Sequence, residues 1–175
     1  MTKIILSLAL LFSSLFAQVK IGTHLSPLSL QGDMGGYIKG GKIWSSAMLY
    51  DKTTMLMYVD PDEKSKGEGF KSTIEALERD LDFSKFQILV ILNLKATWKP
   101  NALIEKLIVK KMKAYPKRIY VLDKDSALVK AWGLKDNAYN TLLINKKAKV
   151  IYTHSGAWQK SQIKKIDALI RKQVK

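Results

Sequence analysis

The chain has 175 residues, of which 47% are hydrophobic, with 30 Lys and Arg against 15 Asp and Glu for a net charge of +15, and no cysteine. Without a thiol it can perform neither disulfide exchange nor thiol peroxidation, and it can form no disulfide support or thiolate metal centre. Length and hydrophobic content suffice instead for a core that hides about two-thirds of the unfolded surface.

The first residues predict a leader. Lys3 supplies a positive charge, Ile4 to Phe12 are largely apolar, and Ser13 to Ala17 are mostly small, with Leu15 where a small residue is usual. This pattern fits a signal peptide over residues 1–17, cleaved after Ala17 for release into the periplasm. The apolar run is well short of the ~20 residues that a spanning helix needs, and no later segment is long and apolar enough to cross a bilayer. Residues 18–175 then form one domain, uninterrupted by any Gly, Ser or Pro-rich linker.

After a Gly-rich opening (Gly22 to Gly41), expected to form extended segments or a hairpin, strands and helices alternate. Thr53 to Val59 is a short β-prone apolar run stopped by Asp60-Pro61-Asp62, which predicts a buried strand followed by a loop. Phe70, Ile74, Leu77 and Leu81 recur at helical spacing, predicting a helix over about 68–81. Phe86 to Leu92 is almost continuously apolar, the pattern of a central parallel strand covered on both faces. Pro100 opens a helix whose apolar stripe is Leu103, Ile104, Leu107, Ile108, Met112 and Tyr115, with Lys106, Lys110 and Lys113 on the wet side. Arg118 to Leu122 is the next strand, Ser126 to Trp132 a short helix closed by Gly133, and Asn140 to Asn145 with Ala148 to Thr153 an antiparallel hairpin. A last helix runs from about Trp158 to Lys172 on Ile163, Ile166, Leu169 and Ile170.

This order of elements, with Val121-Leu122-Asp123-Lys124-Asp125, Leu128 to Leu134, Thr141 to Lys147 and Gly156, resembles a thioredoxin-like domain of the TlpA or peroxiredoxin version. Trp44-Ser45-Ser46, Ile88 to Asn93, Lys130-Ala131-Trp132, and Leu142 to Lys147 followed by Ser155-Gly156-Ala157 are similar to the YtfJ family of small periplasmic proteins. The resemblance implies an α/β fold, a thioredoxin-like three-layer α/β/α sandwich with a mixed central sheet and a βα insertion. It brings no biochemical activity with it. The CxxC of a thioredoxin would fall in Asp60-Pro61-Asp62-Glu63-Lys64-Ser65-Lys66, which holds no nucleophilic thiol. The cis-proline facing it would fall near Asn140, where a cis bond would cost ~2.5 to 4 kcal/mol.

The candidates for other chemistry are few. Asp60, Asp62 and Glu63 stand close in sequence, but Lys64 and Lys66 interrupt them and neither the glycine nor the distant glutamate of a calcium loop comes after them, so they predict a solvated, self-paired loop and no metal. His24 and His154 are too few for zinc without cysteine. Adjacent His154 and Ser155 point to opposite faces of a strand and cannot form a triad. No G-x-S-x-G, Walker A or dinucleotide fingerprint is present, and no cofactor is expected. Trp98, between Lys95 and Lys99, is the tryptophan placed to help form a binding surface.

Charge is divided unevenly: Lys20 to Leu94 carries 9 basic and 10 acidic residues, Lys95 to Lys175 20 basic and 5 acidic. A basic half could meet lipid head groups or an acidic protein, although only Arg79, Arg118 and Arg171 offer the guanidinium fork, so the lysines read first as scattered solvated charge. Nucleic acid conflicts with export. The sequence thus points to a non-catalytic periplasmic protein that binds an envelope partner, with Asp60, Asp62, Glu63, Ser65 and Asn140 as weak binding candidates. Two alternatives stand beside it: an enzyme of unknown class using Asp60, Asp62 and Ser65, and a basic module associated with a membrane surface.

Overall fold

The computed structural model describes residues 19–175; the expected leader, residues 1–17, and Gln18 lie outside them. The described elements are β1 (Ser29–Leu30), β2 (Gly35–Tyr37), β3 (Trp44–Ser45), β4 (Thr53–Val59), α1 (Lys71–Asp80), β5 (Phe86–Asn93), α2 (Asn101–Ala114), β6 (Arg118–Asp123), α3 (Ala127–Trp132), β7 (Tyr139–Ile144), β8 (Val150–Ser155) and α4 (Lys160–Val174). A six-stranded sheet has the order β2-β6-β5-β4-β7-β8, while β1 and β3 pair separately. Strands β4, β5 and β6 run parallel, and β2, β7 and β8 are antiparallel to their neighbours.

The apolar runs of β4 and β5 sit at the middle of this sheet and are buried along their whole length. Alternation sorts their side chains between two cores. Met55, Met57, Val59, Ile88, Val90 and Leu92 pack with Ile74 and Leu77 of α1, Ile104 of α2, and Ile166 and Ile170 of α4. Leu56, Tyr58, Leu89 and Ile91 pack on the opposite face with Trp44, and with Leu128 and Trp132 of α3. The layers are therefore helix, mixed sheet, helix. Burying each of these aliphatic side chains stabilises the fold by ~1.5 to 3 kcal/mol, so both faces contribute heavily.

Three local expectations are corrected, and the extended Gly-rich opening is found as expected. The segment after β4 is solvated and pairs Glu63 with Lys66 as expected, but it is not a loop: Pro61–Phe70 forms a run of 3-10 turns leading into α1, which spans 71–80 rather than 68–81. Gly67 and Gly69 each weaken an α-helix by about 1 kcal/mol, and Gly67 lies so close to the Tyr139 ring that a Cβ would collide with it. The Gly-rich opening includes an ordered edge strand, β2, in which Gly35 (φ 125°) and Gly36 (φ 122°) take a backbone closed to other residues. A Cβ on Gly36 would stand 2.7 Å from the Lys42 carbonyl oxygen.

The hairpin turn is longer than its lysine pair suggests. Asn145 Oδ1 accepts from the N–H groups of Lys147 and Lys149, both at 3.0 Å, so β8 starts at Val150 and not at Ala148. Finally, the stripe of α2 is only partly used. Ile104 is buried and Ile108 and Met112 are partly buried, whereas Leu103 and Leu107 are 46% and 47% exposed. The helix packs chiefly on β6, which covers too narrow an arc to reach them.

Candidate functional site

Parallel strands deliver their C-terminal ends to one side of a sheet, where α/β proteins place their sites. Here those ends carry three buried polar residues: Asp60 just after β4, Asn93 closing β5 and Asp123 closing β6. Asp123 is the organising group. Its Oδ1 accepts from the N–H groups of Asp125 (3.2 Å) and Ala127 (2.9 Å), and its Oδ2 from Leu128 N–H (3.0 Å) and the Tyr58 hydroxyl (3.0 Å). It thereby caps α3 in place of Ser126, whose side chain makes no capping bond. Ser126 donates instead to Asn93 Oδ1 at 2.8 Å, and Asn93 Nδ2 donates to Asp136 Oδ1 at 3.3 Å. Burial first, and then Asp123, push the Tyr58 hydroxyl far above its ordinary range, which keeps it a donor.

Asp60 ties the end of β4 to the residue just before β7. Its Oδ2 accepts from Ala138 N–H at 2.6 Å and its own N–H donates to the Ala138 carbonyl at 3.1 Å, while Oδ1 has no hydrogen-bond partner. Burial raises its pKa to about 6 from 3.8, against the opposing effects of the Ala138 N–H and the Asn93 amide; Asp136 and Glu63 raise it further. The junction between the end of β4 and the start of β7 is thus closed by a carboxylate on a backbone N–H. The described residues contain no cis peptide bond.

Beside this network opens a groove of about 700 Å³, walled by Asp62, Lys95, Thr97, Trp98, Ser126 and Asp136 among others. Two of its wall residues, Ser126 (φ 54°) and Asn137 (φ 51°), hold left-handed backbone conformations. Such strain costs of order 1 to 3 kcal/mol per residue and gathers at binding and catalytic sites. The indole of Trp98 is 85% exposed. The rim charges are paired: Asp125 accepts from Lys95 (2.8 Å) and Lys130 (2.6 Å), and Asp62 from Lys99 and from Thr97 Oγ1 (2.9 Å). The Lys130 and Lys95 bonds hold Asp125 down at about 2, the Lys99 and Thr97 bonds lower Asp62, and Asp125 raises Lys95.

The structure brings together Asp62, Trp98, Lys95 and, through Asp62, Lys99, and separates them from the other sequence candidates. Glu63 pairs with Lys66, and Ser65 is exposed on the 3-10 segment away from the groove wall. Asp60, expected in a solvated loop, and Asn140, expected at a strand entry, are both buried. Asn140 Nδ2 donates to the Lys135 carbonyl at 2.8 Å, because β7 is an interior strand and a buried amide there needs an internal partner. His154 Nε2 lies 3.1 Å from the Ala157 carbonyl, and its ring packs on Trp158 at 4.2 Å. Among the described residues no three His, Asp or Glu side chains gather as a metal site. Sequence reasoning missed Tyr58, Asn93, Asp123, Ser126 and Asp136. The available signal was a polar residue ending each apolar strand.

Residues 27–173 match the model of a family described as bacterial protein of unknown function (YtfJ_HI0045). No curated protein matches the chain in sequence. Among solved structures, the thioredoxin domain of a thiol-disulfide oxidoreductase from Bacteroides vulgatus is 9% identical, with a TM-score of 0.61 over 87% of this chain and 99% of that one. The thio-disulfide isomerase of Thermus thermophilus is 16% identical, with a TM-score of 0.59 over 90% of this chain and 99% of that one. The pneumococcal exposed lipoprotein thioredoxin Etrx1 from Streptococcus pneumoniae is 16% identical, with a TM-score of 0.58 over 82% of this chain and 99% of that one. At such identities these likenesses show the fold alone: it is thioredoxin-like, in a chain without cysteine.

Proposed function

The chain belongs to the YtfJ_HI0045 family, and from that premise we propose that it is a non-catalytic, periplasmic thioredoxin-fold protein that holds an envelope partner in the groove beside its parallel strand ends. The observation that carries this reading is Trp98: an indole 85% exposed on the wall of a preformed groove of about 700 Å³. Leaving so large an apolar surface wet is unfavourable, and aromatic side chains of this kind are the usual anchors of protein interfaces. Export is supported by the sequence of residues 1–17, and a fold relative is itself described as an exposed lipoprotein.

The catalytic reading with Asp60, Asp62 and Ser65 is less favoured. Asp60 is buried on Ala138 N–H, Asp62 is held by Lys99 and Thr97, and Ser65 does not face the groove. The three do not converge on a place where a reacting atom could sit. A photoreactive amino acid placed at Trp98 in living cells tests the proposal, with the same probe at Lys164 of α4 as the control. A discrete adduct from position 98 and none from position 164 is expected. No adduct, or equal labelling from both positions, refutes the groove as the docking site.

A further inference from the structure

Helix α2 differs from the other long helices in leaving aliphatic side chains outside. Leu103, Leu107 and Val109 are 46%, 47% and 44% exposed. The same surface carries Lys106, Lys110 and Lys113, all exposed, and among the described residues no carboxylate lies within ion-pairing distance of any of the three. Glu105, the one acidic residue of the helix, is only 3.8 Å from Lys124 and so faces its own lysine. At about 100° per residue, Ile104, Ile108 and Met112 point to the core, Lys106, Lys110 and Lys113 point away from it, and Leu103 with Leu107 on one flank and Val109 on the other border the lysines.

We propose that this face of α2 docks on the surface of an anionic phospholipid bilayer. Charge complementarity selects the occupant. Lysines without counterions attract a negative surface, and their long stems let the ammonium groups reach phosphates while flanking aliphatic side chains sink between head groups. An acidic protein surface would present carboxylates in fixed positions, for which the arginine fork is better suited. The arginine that follows the helix in the chain, Arg118, is already committed to Glu78 through two bonds of 2.7 and 2.8 Å. A layer of mobile phosphates makes no such demand for register. The surface is separate from the groove, so the partner reading and the lipid reading stand or fall independently.

The test uses the chain from Gln18 to Lys175, which holds every described residue and lacks the apolar N-terminal run that could itself enter lipid. It is sedimented with phosphatidylcholine vesicles with and without phosphatidylglycerol. Binding only to the phosphatidylglycerol vesicles is expected, lost at about 0.5 M salt where screening acts within a few ångströms. Each lysine near an anionic surface contributes roughly fivefold, so the double variant Lys106→Glu/Lys110→Glu weakens binding at least ~25-fold. Leu103→Ser/Leu107→Ser weakens it as well. Lys160→Glu/Lys164→Glu on α4 changes net charge equally and leaves binding within about fivefold of the parent, and Trp98→Ala leaves it unchanged. All these positions are exposed, and thermal unfolding checks that each variant keeps its fold. Absence of phosphatidylglycerol-dependent binding overturns the proposal, as does an equal loss from the α4 pair, which would mean net charge alone, or a loss from Trp98→Ala, which would assign the lipid to the groove. Binding to poly-glutamate but not to vesicles would overturn it in favour of an acidic protein.

Discussion

Replacing Asp60 by asparagine tests the electrostatics of the strand ends directly. In the fold the Asp60 carboxyl titrates at about 6 against an ordinary value of 3.8. The folded state therefore binds the proton more tightly than the unfolded state, so folding takes up protons between these two values. The associated stability is fully present below about pH 3.8 and is lost as pH rises through about 6. One pH unit of such a difference is worth about 1.4 kcal/mol, so the whole effect is roughly 3 kcal/mol. The amide in Asp60→Asn keeps an oxygen for Ala138 N–H and carries no charge at any pH. Near pH 3 the variant and the parent chain compare two neutral groups and differ by no more than about 1 kcal/mol. Near pH 7.5 the parent holds a buried carboxylate, and the variant gains roughly 3 kcal/mol relative to it. Urea titrations of both chains at each pH measure this change. A stability difference that stays flat with pH, or that moves against the variant as pH rises, refutes the assignment of a charged, buried Asp60.

Ile91 is buried in the middle of β5, so Ile91→Ala loses ~2 to 5 kcal/mol in a denaturant titration, whereas exposed Ser65→Ala stays within about 0.5 kcal/mol. Asn140→Ala falls between them, at about 1 to 2 kcal/mol, because losing its bond leaves the Lys135 carbonyl without that donor; equal losses in all three would refute the ranking of the β5 core over these two positions. Tyr58→Phe removes the hydroxyl donor to Asp123 and lowers the unfolding midpoint by an amount equivalent to about 1 to 2 kcal/mol, with a rise instead showing that Asp123 is satisfied by its three backbone donors. Insulin reduction and thiol-peroxidase assays give rates equal to the protein-free blank, since the chain has no thiol to form a mixed disulfide or a sulfenic acid.

Composition and periodicity are properties of the sequence by itself, and they determined the chemistry that is excluded and the elements that form. Absence of cysteine excludes thiol chemistry whatever the fold, and the apolar runs Thr53 to Val59 and Phe86 to Leu92 require strands covered on both faces, which places them centrally in the sheet. Helix positions, the cap at Gly133 and the order of elements are similarly local properties, carried by spacing within about 15 residues. The fate of Asp60 and Asp62 is not local. Asp60, Asp62 and Glu63 are alike and nearly adjacent in sequence, yet one is buried on Ala138 N–H, one holds Lys99 at the groove and one pairs with Lys66. Their partners lie 78, 37 and 3 residues away, and only the packing of β4 beside β7 and of the 3-10 segment against the loop before α2 decides which carboxylate leaves water. Asn93, Asp123 and Ser126 came together at one end of the sheet for the same reason, because parallel strands bring their ends together in space while leaving them far apart in the chain. The exposed face of α2 was hidden from the sequence for the converse reason: periodicity shows that Leu103 and Leu107 share a stripe with Ile104 and Ile108, but how much of that stripe is buried depends on the width of the sheet edge beneath it.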